Sequence, residues 1–141
     1  MKLEIQKINS EAKLPNFAHT GDAGMDLFAV EDCIIDAGSR VLVPTGIVMK
    51  IPFGYVGLIW DKSGLAVKHG ITMLAGVIDS GYRGEIKIVV QNLGSKPFEV
   101  VKGNKIGQML IQAVVQPEIV EVEELDKTSR SAGSFGSTGE K

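Results

Sequence analysis

An all-β domain of the sandwich, jelly-roll or barrel kind is what this sequence predicts, and three observations predict it. Turn signals recur about every eight to twelve residues, the spacing of short strands joined by tight connections. The segments between the turns are short and carry the apolar and β-branched residues that suit a pleated, half-buried surface. Only one stretch, residues 63–70, has the start, the apolar residues and the stop of a helix.

Taken in order, residues 2–8 alternate Leu3 and Ile5 with charged neighbours and are a first strand; residues 9–22, with Pro15 and Gly21, are loop. Residues 23–29 are a short strand holding Asp26 among apolar neighbours. Burying a carboxylate unpaired is expensive, so Asp26 is either paired or functional. Strands at 34–36, 40–43 and 46–51 are separated by Ala37-Gly38-Ser39 and Pro44-Thr45, and Pro52-Phe53-Gly54 turns into a strand at 55–60. Ser63 caps the helix of Leu65, Ala66 and Val67, and Gly70 stops it. Lys62, the Ser63 hydroxyl and the first helical N–H groups are either an ordinary helix start or an anion site.

Residues 76–92 read as strand, tight turn and strand. Val77 and Ile78 lead in, Ser80 and Gly81 supply turn chemistry, and Ile86, Ile88 and Val90 lead out at strand period. The turn carries Asp79 and Tyr82. It is either a surface hairpin with a turn-capping aspartate or a base held beside a stacking ring on one rigid element. Strands follow at 98–101, 106–115 and 119–122, with turns at 94–97 and 102–105. Gln108, polar within an apolar strand, is a satisfied amide or a ligand contact.

Composition narrows the function. The 141 residues suit one domain with a sizeable core. A net charge of −2, with no Lys/Arg block and no aromatic–basic interleaving, argues against nucleic-acid binding. Cys33 is the single cysteine, and only His19 and His69 stand beside it, so an internal disulfide is excluded and a protein-held zinc site is not expected. No run is long enough for a membrane span, and the N-terminus has the alternation of a strand rather than the make-up of a signal peptide, so a cytoplasmic protein is expected. Near Glu121 the composition turns charged and then small and polar. Residues 128–139 lack the apolar content to fold alone. They are a disordered tail, or a segment whose glycines and hydroxyls wrap phosphate. Without a lysine after the glycines or a strand–loop–helix setting, they are not a Walker-type loop.

Five motifs line up in one order: AGMDLFA at 23–29, DKSGLA at 61–66, GVIDSGYRGEI at 76–86, GNKIGQMLI at 103–111 and RSAGSFGSTG at 130–139. Each alone is weak; together, over nearly the whole chain, they are specific. The sequence resembles the trimeric dUTPase family. The resemblance implies a jelly-roll subunit (residues 1–126) with a mobile C-terminal arm (residues 127–141). It implies a homotrimer whose active sites lie between subunits, with no nucleic-acid or membrane partner. It implies magnesium-dependent hydrolysis of dUTP to dUMP and pyrophosphate, which keeps uracil out of DNA and supplies dUMP for dTMP synthesis. Triphosphate and water carry most of the metal coordination in that family.

Residue by residue, the resemblance makes Asp79 the base that activates the water attacking the α-phosphorus. Tyr82 packs on the deoxyribose and excludes a 2′-hydroxyl. Backbone groups of Gly76, Val77, Ile78 and Asp79 read the uracil edge, and Lys87 lies near the nucleotide. Lys62, Ser63 and Gly64 bind phosphate, Gln108 contacts the phosphates or the water, and Asp26 supports the magnesium region through water. In the arm, Arg130 pairs with the terminal phosphates, Phe135 stacks over uracil, and Gly136, Ser137 and Thr138 wrap the phosphates. Lys62 stands where arginine is usual, Met73 near a usual asparagine, Asn104 at a usual aspartate, and Ser131 and Ser134 at glycines. Two other readings share the scaffold: a dCTP-deaminating relative, and a non-catalytic nucleotide-binding trimer.

Overall fold

The structure, a computed structural model, describes residues 1–129, 131 and 132. Among them are eleven strands and one helix: β1 (Glu4–Lys7), β2 (Met25–Phe28), β3 (Cys33–Ile35), β4 (Arg40–Pro44), β5 (Ile47–Lys50), β6 (Tyr55–Trp60), α1 (Ser63–His69), β7 (Ile71–Leu74), β8 (Val77–Ile78), β9 (Lys87–Asn92), β10 (Phe98–Val100) and β11 (Lys105–Ala113). They form four sheets in the orders β1-β5, β10-β3, β2-β11-β6-β8 and β4-β9-β7. Every pairing is antiparallel, and none joins strands adjacent in the chain. A meander would pair neighbours; this long-range pairing is that of a jelly roll. No helix among the described residues is long and apolar enough to cross a membrane.

The core is aliphatic and follows the strand period. Ile86, Ile88 and Val90 are buried on one face of the chain around β9, and Ile47 and Met49 on one face of β5. Asn92, fully buried at the end of β9, donates to the carbonyls of Ile35 and Lys96, each at 2.8 Å, and accepts from Gly94 N at 2.9 Å. Three bonds make it a satisfied core amide that joins β9 to β3 and to the turn before β10.

Four expectations change. The segment around residues 76–92 is no hairpin: β8 pairs with β6, whereas β9 pairs with β4 and β7. The intervening turn crosses from one sheet to another, because eight residues separate the two strands and each finds a longer partner elsewhere. The helix is capped by Lys62 in extended conformation, with no side-chain cap bond; Ser63 is its first turn. Gly70 does end it, at φ 68°, donating to Ala66 O at 2.9 Å. Residues 71–74 are a strand that the sequence reading passed over. Residues 119–122 are not a strand, since no edge among the described residues meets them and Ile119 stays 95% exposed.

Replacing Asn92 by Asp sets a carboxylate against two carbonyl oxygens in the core. Chemical denaturation of Asn92→Asp at neutral pH is expected to show a loss of about 3 kcal/mol or more, the range for an uncompensated buried charge.

Candidate active site

The site residues of the described chain fall into two groups, one beside the C-terminal end of β6 and one, across the antiparallel β6–β8 pairing, toward its N-terminal end. The first group surrounds a cleft of about 480 Å³ whose lining includes Gly24, Asp26, Trp60, Asp61, Lys62 and Gln108. β2 carries Asp26 into it, 3% exposed. The carboxylate is paired, as one of the two sequence readings required. Oδ1 accepts from Lys62 Nζ, and Oδ2 lies 2.7 Å from Lys105 Nζ in an ion pair that is not aligned as a hydrogen bond. Burial pushes the Asp26 carboxyl up, but the close contacts and positive charges of Lys105 and Lys62 outweigh it and hold the group below the usual carboxylate range. Gln108, opposite Asp26 on β11, donates from Nε2 to the Asp61 carbonyl at 2.8 Å. A Cβ at Gly24 would collide with the Gln108 amide oxygen, so a larger residue there would displace that amide. Ser63 and Gly64 stand exposed at the start of α1, next to this cleft in the chain.

The second group is the turn after β8. Gly76 accepts from Ile59 N at 2.8 Å, and a Cβ on it would strike the Ile59 carbonyl. Asp79 is exposed at the tip. The tip is locked from within: Tyr82 N donates to Asp79 O at 3.1 Å, and Arg83 Nη1 donates to the carbonyls of Ser80 and Tyr82, each at 2.8 Å. The Tyr82 ring, 44% exposed, folds over Gly84, whose missing Cβ makes room for it, and its hydroxyl donates to Glu85 O at 3.1 Å. A cleft of about 270 Å³ is lined by Leu42, Val77, Ile78, Asp79, Tyr82, Glu85 and Lys87. Lys87 Nζ lies 3.4 Å from Glu85 Oε2, and Glu85 Oε1 in turn accepts from Gly46 N at 2.8 Å.

One chain therefore brings Asp26, Lys62 and Gln108 together, and separately Val77, Ile78, Asp79, Tyr82 and Lys87. Neither cleft contains a member of the other set. Gly76 lines a third cleft, beside Thr72 and Met73. Arg130, Phe135, Gly136, Ser137 and Thr138 lie outside the described residues. The sequence reading missed Gly24, Asp61, Arg83 and Lys105; for Gly24 a signal existed, a glycine two residues before a buried acid.

No three His, Cys, Asp or Glu side chains among the described residues are placed to hold a metal. Asp26 anchors Lys62 and Lys105 at the edge of the first cleft.

An antiparallel β-domain with a lysine-bearing cleft on one side and an exposed carboxylate–tyrosine tip on the other defines the class. The dUTPase family matches residues 10–139, and the chain belongs to that family. A deoxyuridine 5′-triphosphate nucleotidohydrolase of Nautilia profundicola is 52% identical over 141 residues, covering 99% of each chain. A variant of the Staphylococcus bacteriophage 80alpha dUTPase, solved with dUpNHpp, superposes with a TM-score of 0.92 at 27% identity over 98% of each chain. A variant of the dUTPase from phage phi11 of S. aureus, described for its coordination of a structural Mg(II) ion, gives 0.82 at 25% identity. It covers 88% of this chain and 98% of its own.

Because the Asp26 carboxyl is held below its unfolded value, its contribution to stability is present above the usual carboxylate range and is lost as pH falls through the folded value. Asp26→Asn is expected to cost roughly 1–3 kcal/mol at neutral pH, the range for charged donors left without their acceptor. It should also flatten the acid limb of the stability curve; urea titrations from pH 7 down to pH 3 check both.

Proposed function

We propose that this chain hydrolyses dUTP to dUMP and pyrophosphate, in sites that different subunits of a homotrimer share. The observation that carries the reading is the tip: an exposed carboxylate three residues from a half-exposed tyrosine ring, on a loop closed by its own hydrogen bonds. Asp79 accepts a proton from water as that water attacks the α-phosphorus; the bond from the α-phosphorus to the bridging oxygen breaks, and pyrophosphate leaves. Phosphoryl transfer is mostly positioning and charge stabilisation, so one placed carboxylate suffices as base. The Tyr82 ring packs on the deoxyribose where a 2′-hydroxyl would stand.

Supporting base reading, β8 ends its sheet. The backbone groups of residues 76–79 that point away from β6 meet no strand among the described residues and, apart from the Asp79 carbonyl that Tyr82 N takes, are free to meet a uracil edge, with Lys87 beside the nucleotide. Lys62, Ser63 and Gly64 take the phosphates, and Gln108 takes a phosphate or the attacking water. From the C-terminal arm, Arg130 pairs with the terminal phosphates, Phe135 stacks on uracil, and Gly136, Ser137 and Thr138 wrap the chain of phosphates. Magnesium arrives on the triphosphate as part of the substrate and neutralises its charge. The reaction keeps uracil out of DNA and supplies dUMP for dTMP synthesis.

Two features support shared sites. The phosphate group and the tip open into different clefts of one chain. Val115, Ile119, Val120 and Leu125 are 85%, 95%, 67% and 79% exposed in the single chain, an apolar run that calls for a neighbouring subunit to cover it.

Pyrophosphate release measured with dUTP, UTP, dTTP and dCTP, with magnesium, tests the activity: dUTP alone is expected to be turned over rapidly, and ammonia from dCTP would favour the deaminating reading. Asp79→Asn keeps size and removes charge; its turnover is expected to fall at least ~10²-fold, the usual worth of a general base.

Mixing tests the sharing. Asp79→Asn and Lys62→Ala trimers, each nearly inactive, are expected to regain activity after subunit exchange, because mixed trimers contain sites with both native groups. No regain between fully exchanged subunits places Lys62 and Asp79 of one chain in one site.

A further inference from the structure

We propose that Asp61 is a positioning residue for hydrolysis: it fixes the direction of Gln108 and of the 62–64 loop while touching neither nucleotide nor water. The proposal rests on the reading of Gln108 and residues 62–64 as the phosphate side of the site. Asp61 follows β6 and precedes Lys62. Both of its carboxylate oxygens are occupied from within the chain: Oδ1 accepts from Met73 N at 2.6 Å and Oδ2 from Thr72 Oγ1 at 2.8 Å. Both donors belong to β7, which begins where the excursion through α1 ends. The side chain thus ties the first residue of that excursion to its return strand.

The consequence reaches Gln108 through the backbone. With its side chain pinned, Asp61 holds its own carbonyl toward Gln108, which donates from Nε2 at 2.8 Å. A carbonyl can only accept, so the amide nitrogen must face it. The Gln108 oxygen then turns to the side kept open by Gly24. Asp61 therefore decides which end of the amide faces the cleft, and it sets the start of the loop that carries Lys62, Ser63 and Gly64.

Charge makes the same point. A carboxylate beside a phosphate-binding lysine repels the ligand, and this one is spent on neutral donors. It forms the common wall, with Trp60, of the Asp26 cleft and the Met73–Gly76 cleft. A group that is unfavourable for the ligand and yet fully bonded to the scaffold acts on the scaffold.

The test is a double-mutant cycle on the full chain with Asp61→Ala, Gln108→Ala and the double variant, using kcat and KM for dUTP and the melting temperature. Asp61→Ala is expected to lower kcat/KM by about ten- to a hundredfold, since a misplacement near 1 Å is worth up to ~10²-fold. Asp61→Asn is expected to restore most of it, because its oxygen still accepts from Met73 N and its amide donates to the Thr72 hydroxyl. In the Gln108→Ala background the Asp61→Ala loss should shrink to a few-fold or less, the mark of two residues acting as a unit. An equal loss in both backgrounds, or unchanged kcat and KM in a folded Asp61→Ala protein, overturns the proposal. Should Asp61→Ala not fold, Thr72→Val, which removes one donor at constant shape, enters the same cycle with a smaller loss of the same coupling; additivity there overturns it equally. If Gln108→Ala alone leaves kcat/KM unchanged, the assignment of Gln108 itself falls, and the proposal with it.

Discussion

The register of β11 between β2 and β6 is the constraint on which the phosphate side depends. Gln108 lies opposite Asp26 on one flank and opposite Trp60 on the other, so three strands meet at one polar residue. Side chains alternate faces along a strand, and a slip of one residue would send Gln108 to the opposite face and bring Met109, now fully buried, into the cleft. The buried methionine and the half-buried glutamine specify each other. The irregularity between Lys105 and Gly107 belongs to the same arrangement, since Lys105 still reaches back to Asp26. A bulge that re-aims one side chain beside a functional group is a common use of the device.

Long-range pairing also explains why one chain holds two incomplete groups. β6 pairs with β11 along its length and with β8 at Gly57 and Leu58, so its C-terminal end supports the phosphate cleft while the tip segment runs toward its N-terminal end. The strand that unites the two groups structurally also holds them apart along its length. The turn is held in that place, because the tip is tied by Arg83 and Tyr82 to its own backbone. The proposed trimer would face the tip of one subunit with the cleft of another.

Much of the strand pattern was legible because aliphatic and β-branched alternation is a local signal, and β9 follows it residue for residue. What was not legible is partnership. Val77–Ile78 and Lys87–Asn92 look like the arms of a hairpin, yet each pairs with a strand distant in sequence, and no local pattern encodes that choice. Residues 71–74 were missed because a four-residue strand between a helix stop and Ala75-Gly76 leaves little periodicity to see. The apolar residues at 119–122 suggested a strand, but a strand needs a partner, and none of the described strands pairs with them. At the site, the cost of burying a carboxylate announced that Asp26 is paired; which lysines pair with it depends on topology. Asp61 was unreadable for the same reason: its bonds to β7 exist only once α1 has turned the chain around.

The lysine at position 62 shows how the fold compensates for a change of chemistry. An arginine offers a planar fork that meets phosphate with two parallel bonds and little freedom to lose; a lysine offers a compact charge on a flexible stem. Here the stem does not wander, because the buried Asp26 carboxylate holds the ammonium group, with Lys105 as second partner. Two lysines against one carboxylate leave a net single positive charge fixed in direction. In the proposed phosphate role of Lys62, the cation would already be placed when a polyphosphate arrives, and the ordering cost that a free lysine would impose at binding would be met during folding.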